Sequence, residues 1–136
     1  MVFKVLKIDH IGVAVRDLDE SAKFWENIIG LNITATETVE SQKVTTAFMP
    51  TGDSELELLV ATADDSAIAK FIENKGEGIQ HLALRVDNIE NALADLKAAG
   101  VRLIDEVPRT GAGGAKIAFL HPKSTGGILL ELCQRD

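Results

Sequence analysis

Apolar residues recur along the chain in two patterns, one typical of strands and one typical of helices. Residues 10–15 alternate as a half-buried strand does and are rich in β-branched side chains. The next segment has apolar residues at helical spacing, which predict one buried helix face: Leu18, Ala22, Trp25, Ile28 and Ile29. Asp17 with Glu20 predicts the start of this helix, and Gly30 predicts its end.

The same order of elements is predicted again later in the chain. Residues 79–86 repeat the strand, Asp87 with Glu90 opens a second helix, and Gly100 ends it. The apolar face of that helix comprises Ile89, Leu93 and Leu96. Three β-type segments follow each helix, at 32–38, 43–49 and 54–61 in the first half and at 101–107, 115–120 and 127–133 in the second. Each half is therefore predicted to be β-α-β-β-β.

The two halves match as copies of one module. Residues 8–15 align with residues 79–86, and His10 and His81 are equivalent at an offset of 71 residues (10 to 81). We expect one α+β domain over 1–136, with modules at 4–62 and 78–136 and a connecting helix within 63–77 that ends at Gly76. Because one β-α-β-β-β unit buries a single sheet face, the two modules should pair around a shared cleft.

Composition and charge narrow the class of protein. The chain has 136 residues, of which 46% are hydrophobic and 26% charged, which is typical of a globular domain. Its formal charge of −7 argues against nucleic acid or an anionic membrane surface as a partner. No secretory or membrane segment is predicted, and Cys133 is the single cysteine. We therefore expect a cytoplasmic protein whose metal ligands, if any, are nitrogen and oxygen atoms.

Four residues form a candidate metal-ligating set. His10 and His81 lie on the first predicted strand of each half, and Glu57 and Glu131 lie on the last. A carboxylate facing inward from so apolar a strand is costly without a partner, and a cation removes that cost. Two imidazoles and two carboxylates suit Co²⁺, Mn²⁺, Fe²⁺, Ni²⁺ or Zn²⁺ and leave positions open for substrate.

Other interpretations exist for single residues of this set. One histidine on an apolar strand is more often a hydrogen-bonded core residue than a ligand, but the matched pairs in both halves favour metal. Glu55 is the alternative to Glu57, since the two share a strand face. His121 has no counterpart in the first half and is interpreted as a turn residue. Cys133 is interpreted as a buried structural thiol.

Five segments carry a resemblance to a known family: residues 8–15, 57–59, 66–72, 78–84 and 119–132. The chain resembles the vicinal oxygen chelate (glyoxalase-like) superfamily, whose members pair β-α-β-β-β modules around a metal. Within that superfamily it is similar to the methylmalonyl-CoA epimerase family over nearly its whole length. The most specific segments are that of the connecting helix and Phe119-Leu120-His121-Pro122-Lys123.

The resemblance implies the identity of the site residues. It implies metal ligands at His10, His81 and Glu131, and a fourth at Glu57, where family members carry Gln or Glu. It implies a divalent ion, Co²⁺ before Mn²⁺, Zn²⁺, Ni²⁺ or Fe²⁺. Glu40 aligns with a glutamate assigned a catalytic role in the family. A homodimer follows by analogy.

The implied reaction interconverts (2R)- and (2S)-methylmalonyl-CoA. A proton leaves the carbon α to the thioester and another returns on the opposite face, through an enolate that a metal ion would stabilise. Glu131 and Glu40 are then the candidate acid and base, one on each face. The anionic coenzyme A tail of this acyl-CoA substrate would need basic residues such as Lys116 or Lys123.

Several alternative functions share this architecture. A glyoxalase-type isomerase uses a similar metal site, and an extradiol dioxygenase would use Fe²⁺, although the absence of Tyr from the sequence disfavours oxygen chemistry. A metal-free binding protein of the bleomycin-resistance type would not need the paired His and Glu. A dimeric structural domain with core histidines is the fourth alternative. Metal analysis separates the metal-dependent functions from the others.

Overall fold

The computed structural model describes residues 2–136 and shows a mixture of helices and strands, so the predicted α+β class is confirmed. Two units can be described. The N-terminal unit is His10–Gln80, and the C-terminal unit consists of residues 2–9 together with His81–Asp136. Among residues 2–136, no helix combines the length and the apolar character needed to cross a bilayer.

The N-terminal unit follows the predicted order of a strand, a helical segment, three strands and a connecting helix. In chain order its elements are β1 (Val5–Ala14, in this unit from His10), α1 (Leu18–Ala22), a π-helix (Lys23–Ile29), β2 (Ala35–Val39), β3 (Val44–Thr51), β4 (Ser54–Ala61) and α2 (Ala67–Lys75). The strands lie in the order β2-β3-β4-β1. β1 and β4 run parallel, and the other neighbours are antiparallel.

The helical segment after β1 differs from the prediction in its second half. Its start is confirmed, because the Asp17 side chain accepts a hydrogen bond from the backbone N–H of Glu20 at 2.9 Å. Its end at Gly30 is also confirmed, with φ of 93°. The predicted burial of Ile28 and Ile29 is wrong, since they are 73% and 53% exposed. A π-helix has more residues per turn than an α-helix, so apolar residues spaced for an α-helix no longer fall on one face.

The connecting helix α2 is confirmed, starting two residues after the predicted Asp65. Ser66 caps it by accepting a hydrogen bond from the Ala69 N–H at 3.0 Å, and the helix ends at Gly76, whose φ is 80°. Its apolar face packs into a cluster with Ala14, Val44 and Leu59. The helix therefore covers one end of the β1–β4 strand pair.

The C-terminal unit repeats the topology of the first. Its elements are β5 (Gly78–Val86, in this unit from His81), α3 (Ile89–Ala98), β6 (Arg109–Thr110), β7 (Lys116–Leu120) and β8 (Leu130–Gln134). The strand order is β5-β8-β7-β6, with β5 and β8 parallel and the others antiparallel. In both units, therefore, the first strand pairs in parallel with the last.

Helix α3 starts one residue later than predicted. Asn88, not Asp87, is the capping residue, and its side chain accepts from the Asn91 N–H at 2.9 Å. Asp87 instead accepts a hydrogen bond from the Lys4 N–H at 2.8 Å. The predicted apolar face is confirmed, since Ile89 and Leu93 belong to the core cluster of this unit and Leu96 packs against it.

The predicted strand at 101–107 is wrong. Leu103 forms a single bridge with Leu120, and the paired strand in this region is the short β6. The side chain of Asp105 accepts the Phe119 N–H at 2.9 Å, so a carboxylate occupies a position that a backbone carbonyl would take in a ladder. The backbone N–H groups of Ile104 and Asp105 both reach the Phe119 carbonyl. These local bonds replace a regular strand pairing.

Candidate metal centre

The N-terminal unit places His10 beside Glu57. His10 lies on β1 and Glu57 on the neighbouring parallel strand β4, where Glu57 is in register with Gly12. The His10 Nδ1 atom is 3.4 Å from Glu57 Oε2, and both side chains are buried. The two residues that follow Glu57 on β4, Leu58 and Leu59, are buried and apolar.

The C-terminal unit places His81 beside Glu131 in the same manner. Glu131 lies on β8 and is in register with Ala83 of the parallel strand β5. His81 Nε2 is 3.5 Å from Glu131 Oε1, and both side chains are buried. The structure thus brings together, within each unit, the histidine and the glutamate that the sequence predicted as ligands.

The strand register distinguishes Glu57 from its alternative Glu55. In both units the buried glutamate is in register with the residue two positions after the histidine, Gly12 in one case and Ala83 in the other. Glu55 is in register with His10 itself and is only half-buried. Glu57 is therefore the structural counterpart of Glu131.

The geometry of each pair fits the donor atoms of a divalent metal ion. The two nitrogen–oxygen distances, 3.4 and 3.5 Å, exceed the usual hydrogen-bond range. Two donor atoms that each bind one ion at about 2.1 Å are themselves separated by roughly 3.0–3.4 Å. Imidazole nitrogen with carboxylate oxygen is also the donor set that intermediate divalent ions prefer. Each unit thus offers two candidate ligands, an imidazole nitrogen and a carboxylate oxygen.

Phe119 contacts one of the pairs and was not among the predicted site residues. Its ring meets the His81 ring edge to face, with centroids 5.6 Å apart. The Arg109 guanidinium lies over the Phe119 ring, 5.7 Å from its centroid. Phe119 is in register with Glu131, as Phe48 is with Glu57, and the two phenylalanines show the same 71-residue offset as the histidines (48 to 119). The internal repeat could therefore have identified Phe119 as a residue near the site.

Asp9, which precedes His10 in the sequence, is a buried carboxylate that was not among the predicted site residues. Asp9 is 3% exposed and accepts hydrogen bonds from Arg85 Nε at 2.8 Å and from Arg135 Nε at 3.0 Å. Cys133 is buried in the same unit, as predicted. Burial, together with the charge of Asp9, raises the pKa of its thiol to about 12.

The other predicted residues lie outside the two pairs. Glu40 is exposed in a short 3₁₀ turn between β2 and β3. Lys116 is exposed and bonds to Glu90 at 3.0 Å, and this hydrogen bond holds the pKa of Glu90 below its usual value. His121 has the predicted turn role, because its Nδ1 accepts from the N–H of Lys123 at 3.1 Å. Lys123 is exposed in that turn.

Comparison with known proteins gives a consistent family assignment. Residues 9–119 match the Glyoxalase/Bleomycin resistance protein/Dioxygenase superfamily. The human mitochondrial methylmalonyl-CoA epimerase is 37% identical over 98% of this chain and 76% of its own length. An ethylmalonyl-CoA/methylmalonyl-CoA epimerase of Cereibacter sphaeroides is 35% identical over 94% of this chain and 97% of its own length.

A solved structure extends this similarity to the fold. A variant of the Streptomyces coelicolor methylmalonyl-CoA epimerase, in complex with 2-nitronate-propionyl-CoA, is 38% identical and superposes with a TM-score of 0.91. The similarity covers 96% of this chain and 95% of that one. The chain therefore belongs to the glyoxalase-like superfamily and, within it, to the methylmalonyl-CoA epimerase family of enzymes.

Proposed function

We propose that this protein epimerises methylmalonyl-CoA at C2, using one divalent ion held jointly by His10, Glu57, His81 and Glu131. The observation that carries the proposal is the recurrence of the same buried His–Glu pair, in the same strand register, in both units of a member of the epimerase family. Because an inward carboxylate is costly in an apolar sheet, two such pairs are best explained by a ligand that needs both.

The donor set suits the proposed ion. Two ionised carboxylates balance the charge of a divalent cation, and two neutral imidazoles complete four ligands. We propose Co²⁺ as the ion, with Mn²⁺, Zn²⁺, Ni²⁺ and Fe²⁺ also compatible with these donors. When bound, the ion supplies Lewis-acid stabilisation of the negative charge that develops on the thioester oxygen.

Two carboxylates would move the proton. Epimerisation requires removal of the C2 proton from one face and return of a proton to the other, so a group is needed on each side. We assign these roles to Glu131 and Glu40. Since Oε1 of Glu131 faces His81, Oε2 is the oxygen that we assign to proton transfer. Glu40 is exposed in its turn and therefore accessible to a substrate.

The proposed substrate is an acyl-CoA with an anionic tail. Of the two predicted tail contacts, Lys123 is the better candidate, since Lys116 is engaged by Glu90. The S. coelicolor relative binds an acyl-CoA analogue, and the C. sphaeroides relative is named for ethylmalonyl-CoA as well as methylmalonyl-CoA. We also propose a cytoplasmic homodimer that acts in propionate metabolism, by similarity to the family.

Deuterium exchange tests the proposed function directly. We expect the protein to incorporate deuterium at C2 of methylmalonyl-CoA in heavy water and to interconvert the two epimers. A chelator should remove both activities, and added Co²⁺ should restore them, because the charge on the thioester oxygen is then stabilised again. Mass spectrometry and chiral analysis provide the measurement. Undiminished exchange in protein shown to be free of metal would contradict the mechanism, and absence of metal binding would favour a metal-free ligand-binding protein.

The Glu57→Gln substitution tests the fourth ligand against a matched control. An amide keeps an oxygen donor but removes a negative charge, so we expect Co²⁺ affinity to fall about tenfold, which is about 1.4 kcal/mol. Glu55→Gln removes the same charge two residues earlier on β4 and should leave the affinity unchanged. Titration calorimetry measures both variants. Equal affinities for the two variants would exclude Glu57 from the ligand set.

A further inference from the structure

Asp9 is the centre of a buried polar network in the C-terminal unit. Its carboxylate accepts hydrogen bonds from two guanidinium groups, from Arg85 Nε at 2.8 Å, Arg135 Nε at 3.0 Å and Arg135 Nη2 at 3.1 Å. The Asp9 side chain is 1% exposed, whereas about a quarter of each arginine side chain is exposed. Hydrogen bonds between ionised partners are shorter and stronger than neutral ones, so this carboxylate is firmly held.

The partners of Asp9 lie on, or directly after, the strands that carry a proposed ligand pair. Arg85 is on β5, four residues after His81, and Arg135 directly follows β8, four residues after Glu131. Side chains at even separations along a strand share a face, so Arg85 lies on the same face of β5 as His81. One carboxylate is thus bonded to the two chain segments that position His81 and Glu131.

Asp9 is also the residue immediately before His10. Consecutive side chains of a strand normally point to opposite faces, yet Asp9 and His10 are both buried, at 3% and 4% exposure. Each has a polar partner in its own unit, the arginines for Asp9 and Glu57 for His10. Holding Asp9 therefore fixes the backbone from which His10 projects.

We propose that Asp9 is a positioning residue for the metal ligands, acting through Arg85 and Arg135. The inference rests on the proposed function. Replacement of a buried ion network by apolar side chains often does not reduce stability, so such a network next to a ligand is better explained by the geometry that it fixes. Charged groups behind metal ligands commonly set ligand orientation, and their loss weakens metal binding about 10- to 100-fold.

The test is Co²⁺ binding to the whole protein carrying Asp9→Asn. The asparagine is nearly the same size but has no charge with which to hold two guanidinium groups. We expect Co²⁺ affinity to fall about 10- to 100-fold and the visible absorption bands of bound Co²⁺ to shift, because these bands report ligand geometry. At saturating Co²⁺, kcat should fall more than KM rises. Asp87→Asn, which removes a carboxylate bonded to Lys4 in the same unit, should behave as the unsubstituted protein does.

Two further outcomes are decisive. If Asp9→Asn does not fold, Arg85→Gln replaces it, since Arg135 then still pairs with Asp9, and the same loss of affinity and spectral shift are expected. Wild-type affinity and an unchanged Co²⁺ spectrum in a folded variant would overturn the positioning role while leaving the proposed function intact. Failure of the unsubstituted protein to bind Co²⁺ would instead contradict the proposed function itself.

Discussion

His81→Ala is expected to abolish deuterium incorporation at C2 of methylmalonyl-CoA and to leave the purified protein without bound metal. The substitution removes one of the two neutral donors of the proposed site and leaves Glu131 buried without its histidine neighbour. Lewis-acid stabilisation by a metal is worth several kcal/mol in the transition state, so its loss should slow exchange by about a thousandfold or more. Metal analysis and mass spectrometry on the same sample measure both effects.

The control for this experiment is His121→Ala. His121 is the third histidine of the chain and acts in a turn, where its Nδ1 accepts the Lys123 N–H. Its loss should leave the metal content unchanged and lower stability slightly. Because His81 also packs edge to face on Phe119, circular dichroism must show that His81→Ala is folded. A folded His81→Ala protein with full metal content would contradict the shared site.

Glu40→Gln is expected to separate exchange from epimerisation. If Glu40 serves one face of C2 and Glu131 the other, the amide variant can still remove and return a proton on the face served by Glu131. Interconversion of the epimers should then fall by about 10²–10⁴-fold, the usual contribution of a general acid or base. One epimer should continue to exchange its C2 proton with retention of configuration. Chiral chromatography coupled to mass spectrometry distinguishes the two results.

The backbone conformation near Glu40 supports the assignment of an acid–base role to this residue. The turn ends at Lys43, a non-glycine residue with φ of 55°, a conformation that costs roughly 1–2 kcal/mol. The Lys43 N–H bonds to the Glu40 carbonyl, and its ammonium group pairs with Asp65. Strained backbone of this kind is found preferentially at functional sites.

A matched control tests whether the effect is specific to Glu40 or follows the loss of any exposed carboxylate. Glu73→Gln removes another exposed carboxylate, on α2, and should alter neither exchange nor epimerisation. If Glu40→Gln also epimerises at the original rate, the acid–base role must be assigned to another residue.

The sequence predicted the candidate ligands because the duplication presents each of them twice. A His at the same point of two strands and a Glu at the same point of two others leave a pattern that one copy alone would not show. The choice between Glu55 and Glu57 needed strand register, which follows from backbone pairing and not from residue type. The single ion shared by all four residues, the role of Glu40, the module boundaries and the homodimer stay predictions.

Other features of the structure could not be predicted, because they depend on interactions that the local sequence pattern does not show. Residues Lys23–Ile29 form a π-helix, in which α-helical spacing does not identify the buried face. The prediction that Ile28 lies on the buried face was therefore wrong. The segment at 101–107 has strand-like composition, but the side chain of Asp105 replaces the ladder partner. The Asp9 network joins residues 76 and 126 positions apart and contains residues of both halves of the chain, so a comparison of one half with the other does not reveal it.

The matching register of the two His–Glu pairs has an evolutionary consequence. Each unit carries half of the proposed four-ligand set on a parallel strand pair, so a gene encoding one such unit would specify half of the site by itself. Duplication and fusion of that gene would double the number of candidate ligands. Asp9 belongs to the first sequence copy and its partners Arg85 and Arg135 belong to the second, so this network is a feature that a single copy could not have carried.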